Sequence, residues 1–162
     1  GESAGERVDD DTCPQPSDAQ GQVLLNMEAA WQQAYPSECV IVRPTGIYGT
    51  SVARMIKLAE TTKAYPKLHW SNRIHVEDLA AFLAQLLHVE HTEKSYICSN
   101  SQPLPLHEII QWFQQQLGLP ALVLESDVPS GKQIYASRMQ QMNFELQHSH
   151  CFDDYLELLA ER

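Results

Sequence analysis

The stretch Cys39-Val40-Ile41-Val42-Arg43-Pro44-Thr45-Gly46 gives the clearest indication of the fold. Its leading apolar residues do not alternate with polar ones, which is typical of a strand buried on both faces of a parallel sheet. A helical pattern over 17–34 precedes this strand, and another over 51–60 follows it. Helices that alternate with apolar strands predict an α/β fold. Open α/β sheets bind ligands beyond the carboxyl ends of their strands, so Pro44, Thr45 and Gly46 are candidate ligand-binding residues, although an ordinary turn explains them equally well.

The other periodic segments give a coarse map of the elements. Ser17 is expected to cap the helix over 17–34, with Gln20 completing a capping box. The apolar positions of this helix are expected in the core: Val23, Leu24, Met27, Trp31 and Ala34. Asp78 is expected to cap the clearest helix of the chain. The remaining predictions are an acidic loop over 1–16, irregular chain over 62–73, strands at 96–98 and 121–125, and helices over 106–117, 137–142 and 152–161.

Composition excludes several classes of function. A chain of 162 residues is long enough to bury a sizeable core. Its net charge of −10 argues against binding to nucleic acids or to anionic membranes. The four cysteines form no C-x-x-C pair, and no run approaches the roughly 18 apolar residues of a membrane span. These features favour a reduced, cytoplasmic protein that binds neither nucleic acid nor membrane.

A second stretch, from Pro16 to Glu28, resembles the catalytic helix of the extended short-chain dehydrogenase/reductases, the NAD-dependent epimerase/dehydratase family. That helix carries a Tyr followed directly by Gly, then a Lys four residues after the Tyr and a Glu four residues later. Gly21 and Glu28 fit, but Gln20 occupies the Tyr position and Leu24 the Lys position. In the family, the Tyr exchanges a proton with the substrate while a hydride moves to or from nicotinamide. An amide and an aliphatic side chain cannot replace this acid/base pair, so no catalytic residue is assigned.

Three further segments resemble the same family. They are RPTGIYG at 43–49, NRIHVEDLA at 72–80, and the segment 131–144. In the last of these, Asn143 replaces the family's glycine at the end of a helix. Asn is the next-best residue for a left-handed helix end, so this departure from the family pattern is mild.

The resemblance implies the C-terminal half of a Rossmann-like, NAD(P)-binding fold together with its substrate-side lobe. It implies one incomplete domain over 1–162. Residues 1–50 would belong to the dinucleotide-binding sheet, and 51–162 would form the lobe, apart from a later sheet strand near 95–98. The seven glycines form no G-x-G-x-x-G or G-x-x-G-x-x-G, the loop that seats a pyrophosphate. NAD or NADP is therefore expected in a full-length parent protein and not on this fragment alone.

Three functions stay open at this point. The first is a truncated NAD(P)-dependent epimerase/dehydratase-like protein without hydride transfer. The second is a non-catalytic NAD(P)-binding sensor or scaffold, which the residues at Gln20 and Leu24 favour. In the third, a residue outside this sequence supplies the acid/base group. The small-molecule substrate is unknown, and the expected partner is a second copy in a homodimer or the N-terminal half of the parent.

Arg73, His75 and Lys132 are candidate substrate-binding residues, because they lie in the family-like segments. Arg73 would contact a phosphate or carboxylate, but a surface arginine is the simpler interpretation. His75 also fits a buried, hydrogen-bonded histidine, and Lys132 also fits an exposed loop. The run His148-Ser149-His150-Cys151 contains two histidines and a cysteine that could bind one metal ion. Structural zinc takes four ligands in paired spacings, so no metal site is assigned.

Overall fold

The computed structural model describes residues 4–90 and 92–161. The helices are α1 (Ala19–Ala34), α2 (Ala53–Thr61), α3 (Val76–Leu86), α4 (Leu106–Gln116), α5 (Ser137–Gln141) and α6 (Cys151–Ala160). The strands are β1 (Ala4–Val8), β2 (Ile41–Pro44), β3 (Gly46–Tyr48), β4 (Ala64–Tyr65), β5 (Leu68–Ser71), β6 (Arg73–His75), β7 (Ser95–Cys98), β8 (Leu104–Pro105), β9 (Val123–Leu124) and β10 (Pro129–Ile134). The predicted α/β fold is confirmed. Among the described helices, none has the length and apolar character that a transmembrane span requires.

Parallel pairing dominates the sheets. The largest sheet has the order β1-β10-β5-β8, in which β5 and β8 are antiparallel. Three further parallel pairs are β2 with β7, β3 with β6 and β4 with β9. Thr45 joins β2 to β3, and its N–H donates to the Cys98 carbonyl at 3.0 Å, while the Gly46 N–H donates to the Asn72 carbonyl at 3.0 Å. These two bonds bring the carboxyl ends of β2 and β7 to the start of β3 and β6.

Two apolar clusters form the core. The first joins β3, α2, α4 and α6 through Tyr48, Val52, Ile56, Ala59, Ile109, Phe113, Cys151 and Tyr155. The second joins β6, α3, β7 and α5 through Ile74, Phe82, Tyr96, Cys98, Ala136 and Met139. Burial of each large side chain stabilises the fold by about 1.5–3 kcal/mol. Burial also raises the pKa of the Cys98 thiol to about 12, so this cysteine behaves as a core residue.

Asp10 links three segments near β1. One carboxylate oxygen accepts from the Ile97 N–H at 2.6 Å, and the other accepts from the Arg138 N–H at 2.9 Å and the Ser137 hydroxyl at 3.0 Å. The carboxylate therefore satisfies backbone donors of β7 and of the first turn of α5. The stretch 1–16, predicted as an acidic loop, thus contains both a strand and a structural carboxylate.

The start of α1 differs from the prediction. The N-cap is Asp18, whose carboxylate accepts from the Gly21 N–H at 2.6 Å. The predicted capping box of Ser17 and Gln20 is therefore wrong. A carboxylate makes a charge-assisted bond to the first turn, which a serine hydroxyl cannot match.

The predicted core face of α1 is also wrong. The residues expected in the core are all exposed in the described chain: Val23, Leu24, Met27, Trp31 and Ala34. Val23 is 65% exposed and Trp31 54%. The opposite face, with Gly21, Leu25, Glu28 and Gln32, is partly buried. Polar contacts place the helix, because Glu28 binds Arg43 of β2 and the Gln32 amide donates to the Lys94 carbonyl.

Strand pairing and capping explain the other differences. The segment 62–73, predicted as irregular, contains β4 and β5, and β10 was not predicted at all. Helix α3 begins at Val76, and its N-cap is His75, whose Nδ1 accepts from the Glu77 N–H at 3.3 Å. The predicted capping role of Asp78 is wrong. The left-handed conformation expected of Asn143 is confirmed by its φ of 53°.

Candidate functional site

A cavity of about 480 Å³ opens at the carboxyl end of β2. Pro44, Thr45 and Gly46 line it, and Lys132 reaches it from β10. The structure therefore brings together the residues predicted from the strand end and a lysine predicted from a different segment. The site lies where open α/β sheets bind their ligands.

Asn72 fixes the wall between β6 and β10. Its amide nitrogen donates to the Lys132 carbonyl at 2.8 Å, and its amide oxygen accepts from the Ile134 N–H at 2.8 Å. A Cβ at Gly46 would lie 2.9 Å from the Asn72 carbonyl oxygen, so the chain passes too closely for a side chain. Asn72 was not predicted as a site residue, although it opens the family-like segment 72–80.

Arg43 forms another part of the cavity wall and holds α1 against β2. Its guanidinium makes a bidentate pair with Glu28, with Nη2–Oε2 at 2.6 Å and Nε–Oε1 at 3.0 Å. The hydrogen bonds to Glu28 raise the pKa of Arg43 above its usual value. The family-like glutamate of α1 thus has a positioning role that its sequence match alone did not indicate.

The two substituted motif positions lie on the open side of α1. Gln20 is exposed, Leu24 is 52% exposed, and neither side chain lines the cavity. Tyr48 does not replace the missing phenol, because burial and a hydrogen bond to Asp154 raise its pKa and disfavour the phenolate.

A second cavity of about 300 Å³ lies on the other side of the β2–β3 junction. Gly46 and Asn72 line both cavities, so they form a shared wall. Arg54 and Arg73 give the second cavity its positive charge. The interpretation of Arg73 as a surface arginine is wrong, since it is 8% exposed and its Nε donates to the Tyr155 hydroxyl at 2.9 Å.

His75 lies away from the other predicted substrate residues. It is buried and lines neither cavity, and its ring stacks on that of His148 with 3.6 Å between centroids. It also packs edge-on against Tyr48, which lines the second cavity. Cys151, from the predicted metal-like run, belongs to the first apolar cluster, where burial raises the pKa of its thiol to about 11.

The mixed α/β structure, dominated by parallel strand pairs, matches the C-terminal part of the Rossmann-like NAD(P)-binding fold of solved structures. Comparison with solved structures confirms the resemblance to the C-terminal half of an extended short-chain dehydrogenase/reductase-like protein of the NAD-dependent epimerase/dehydratase family. No family model matches the chain, and no curated protein matches it.

Three solved structures illustrate the likeness. A protein of Methylobacillus flagellatus, assigned as an NAD-dependent epimerase/dehydratase, is 32% identical with a TM-score of 0.82, over 99% of this chain and 59% of that one. The dTDP-glucose 4,6-dehydratase of Bacillus anthracis in complex with NAD is 15% identical with a TM-score of 0.72, over 96% of this chain and 56% of that one. A human epimerase family protein with NADPH is 18% identical with a TM-score of 0.73, over 93% of this chain and 58% of that one. The chain thus spans less than two thirds of each relative.

Proposed function

We propose that this chain is the C-terminal portion of an NAD(P)-dependent epimerase/dehydratase-like protein that binds a dinucleotide but does not transfer hydride. The observation that supports this most directly is the cavity built by Pro44, Thr45, Gly46 and Lys132 at the end of β2. Two of the structurally similar proteins contain NAD or NADPH. The cysteines, none of which forms a disulfide in the structure, fit the reduced cytoplasm, which we propose as the location.

The cavity fits the nicotinamide end of a dinucleotide and not the whole molecule. Its volume of about 480 Å³ lies within the usual range of small-molecule sites. The Thr45 and Gly46 N–H groups are engaged by carbonyls of neighbouring segments, so a ring would be held by packing against Pro44 and Ile97. A pyrophosphate needs a glycine-rich loop at a helix N-terminus, which this sequence lacks. The remainder of the protein would supply that loop, and this chain alone would bind no dinucleotide.

The second cavity supports a small anionic substrate. Arg54 and Arg73 line it, and guanidinium groups recognise phosphates and carboxylates. Because Gly46 and Asn72 border both cavities, the substrate and the nicotinamide would approach each other at this shared wall. His75 would act on the substrate only through Tyr48, against which it packs.

Calorimetric titration of the full-length protein with NAD and NADP tests this proposal. We expect saturable binding of one of them, weakened in Lys132→Ala and unchanged in Lys67→Ala, a control lysine outside the cavity lining. The isolated 162-residue chain should show no saturation. Equal binding by the two variants, or no binding by the full-length protein, would contradict the assignment of the cavity.

The absence of hydride transfer has its own test. Gln20→Tyr/Leu24→Lys restores the phenol and the amine one helical turn apart, where an ammonium favours the phenolate. Both positions lie on the exposed side of α1 and outside the cavity lining, so we expect no substrate-dependent change of nicotinamide absorbance in a screen of sugar nucleotides, either for the wild type or for this variant. Turnover by the wild type would show that another residue supplies the acid/base group.

A non-catalytic sensor or scaffold is the second candidate function. The exposed stripe of Leu24, Met27 and Trp31 on α1, continued by its C-cap Tyr35, favours it, because each of these side chains is at least 50% exposed. Exposed apolar patches of this kind mark protein–protein contacts. We propose that a second copy or the N-terminal half of the parent covers the stripe. If a second copy covers the stripe, light scattering should show a dimer for the full-length protein and a monomer for its Trp31→Glu variant, whereas cover by the N-terminal half predicts a monomer for both.

A further inference from the structure

Residues distant in sequence converge beside the first turn of α3. One ring nitrogen of His75, one of His148 and one carboxylate oxygen of Glu77 all lie within 4.8 Å of one another. His75 is the N-cap of α3, Glu77 lies in its first turn, and His148 lies in the loop before α6. It is the one group of three or more potential metal ligands in the part of the chain that the structure describes. The cavities of the proposed dinucleotide site do not include it.

One pair of the three ligand atoms has the spacing of a coordination shell. His148 Nε2 lies 3.3 Å from Glu77 Oε2. Ligand atoms around a tetrahedral zinc ion lie about 3.3 Å apart, since Zn–N and Zn–O distances are about 2.0–2.2 Å. The His75 and His148 rings are nearly parallel, at 18°, so one ring must tilt for both nitrogens to face the ion. Glu77 has room to adjust, because its side chain is 76% exposed.

An outer shell already orients His148. Its Nδ1 lies 2.6 Å from Asp154 Oδ1, so Nε2 is the nitrogen that faces Glu77. The Tyr48 hydroxyl donates to the other Asp154 oxygen at 2.5 Å, and the Asp78 carboxylate accepts from the His148 backbone N–H at 3.0 Å. Metal-binding histidines typically donate their second N–H to a carboxylate in this way. Such a shell fixes the tautomer that leaves Nε2 free to bind an ion.

The electrostatics of the group suit a divalent cation. The carboxylates of Glu77, Asp78 and Asp154 surround the two rings. Burial and the neighbouring His148 lower the pKa of His75, which favours its neutral ring. Its Nδ1 accepts from the Glu77 N–H at 3.3 Å, so an ion bound at this nitrogen would replace that hydrogen bond. In the absence of an ion, the two ring nitrogens of His148 pair with Asp154 and Glu77. Burial lowers the pKa of His148, but the hydrogen bonds to these carboxylates outweigh it, and the pKa is raised overall.

We propose that His75, His148 and Glu77 bind a divalent ion of the zinc class, with water in the fourth position and Asp154 orienting His148. Two imidazoles and one carboxylate suit zinc and its neighbours better than magnesium or calcium, which prefer oxygen ligands. Glu77 leaves the group open to solvent on one side, so an ion can reach it.

Calorimetric titration of chelator-treated protein with zinc chloride tests the proposal. The protein carries Cys13→Ser, which removes the exposed thiol as a competing ligand. We expect one equivalent to bind, and Glu77→Gln to weaken the affinity by at least about tenfold. Because Glu77 is largely exposed, this variant removes a ligand without disturbing the core. Glu108→Gln, an exposed acid in the first turn of α4, is the matched control and should bind zinc as the parent does.

Histidine ¹⁵N spectra give a second readout that does not depend on affinity alone. Zinc should shift the ring nitrogens of His75 and His148 and leave those of His69 and His107 unchanged. Equal affinity of the Glu77→Gln and Glu108→Gln variants would overturn the proposal. So would the absence of zinc binding, or zinc-dependent shifts confined to other histidines.

Discussion

Gln114 tests how α4 is held against its neighbouring segments. It lies in α4 and is 2% exposed. Its amide nitrogen donates to the carbonyls of Ala59 and Thr62 at 3.0 and 2.8 Å, and its amide oxygen accepts from the Leu122 N–H at 2.7 Å. One side chain therefore ties α4 to the end of α2 and to the segment before β9. Gln114→Leu retains a similar volume and removes all three hydrogen bonds.

The loss in the free energy of unfolding follows from these contacts. Each hydrogen bond contributes about 1 kcal/mol, and the buried Leu122 N–H left without a partner adds to the cost, so we expect a loss of about 3–4 kcal/mol. For a domain of this size, that lowers the melting temperature by about 6–16 °C. Urea unfolding followed by circular dichroism measures the change. Gln115→Leu, at the exposed neighbouring position, should stay within about 0.5 kcal/mol of wild type. Equal midpoints for the two variants would refute this account of Gln114.

Three further perturbations test other parts of the structure. Phe113→Ala removes a fully buried ring from the first apolar cluster and should cost about 3–5 kcal/mol in urea unfolding, whereas a loss below about 1 kcal/mol would contradict its packing. Asp10→Ala removes the acceptor of three hydrogen bonds and should cost about 2–4 kcal/mol by the same assay; an unchanged midpoint would show that water replaces the carboxylate. Folding raises the pKa of His148, so protonation of this ring stabilises the folded state. This stabilisation is complete below the unfolded pKa of about 6.5 and is lost as the pH rises through the folded pKa. Between about pH 6 and pH 8, wild type should therefore lose more stability than His148→Gln, and parallel pH profiles would contradict this.

Local sequence signals predicted the elements that depend on local chemistry. The apolar run at 39–42 predicted a parallel strand, which the structure has at Ile41–Pro44, although the strand is partly buried and not covered on both faces as expected. The strand end predicted Pro44, Thr45 and Gly46, which line the cavity. Asn143 adopts the left-handed conformation that its place at a helix end indicated. In these cases the residue types themselves carry the signal, even though β2 becomes a parallel strand only by pairing with β7.

Features that depend on distant contacts could not be predicted from the sequence. Strand β10 contains Gly131 in a left-handed conformation and begins with a proline, so its pairing with β1 and β5 has no local signature. Helix α1 has an apolar stripe that is typical of a core face. Its orientation in the described chain depends instead on the ion pair between Glu28 and Arg43. A periodic pattern shows that a helix has two faces but not which protein surface covers the apolar one.

The residues around His148 also show that local spacing does not reveal contacts between distant segments. Local spacing directed attention to the run from His148 to Cys151, whose last member is a core residue. The residues that the His148 ring contacts are His75 and Glu77 of the α3 start and Asp154 of α6. Only the folded topology brings the α3 start within reach of a loop some seventy residues further along the chain.

Intermolecular nuclear Overhauser effects between bound NAD or NADP and methyl-labelled full-length protein test the central claim most directly. The claim is that the cavity at the end of β2 holds the nicotinamide ring. It predicts contacts from the nicotinamide ring protons to the methyl groups of Ile97 and Ile134, which line that cavity. Contacts to Met55 or Leu58 of the second cavity, or a bound dinucleotide that contacts none of these residues, would contradict it.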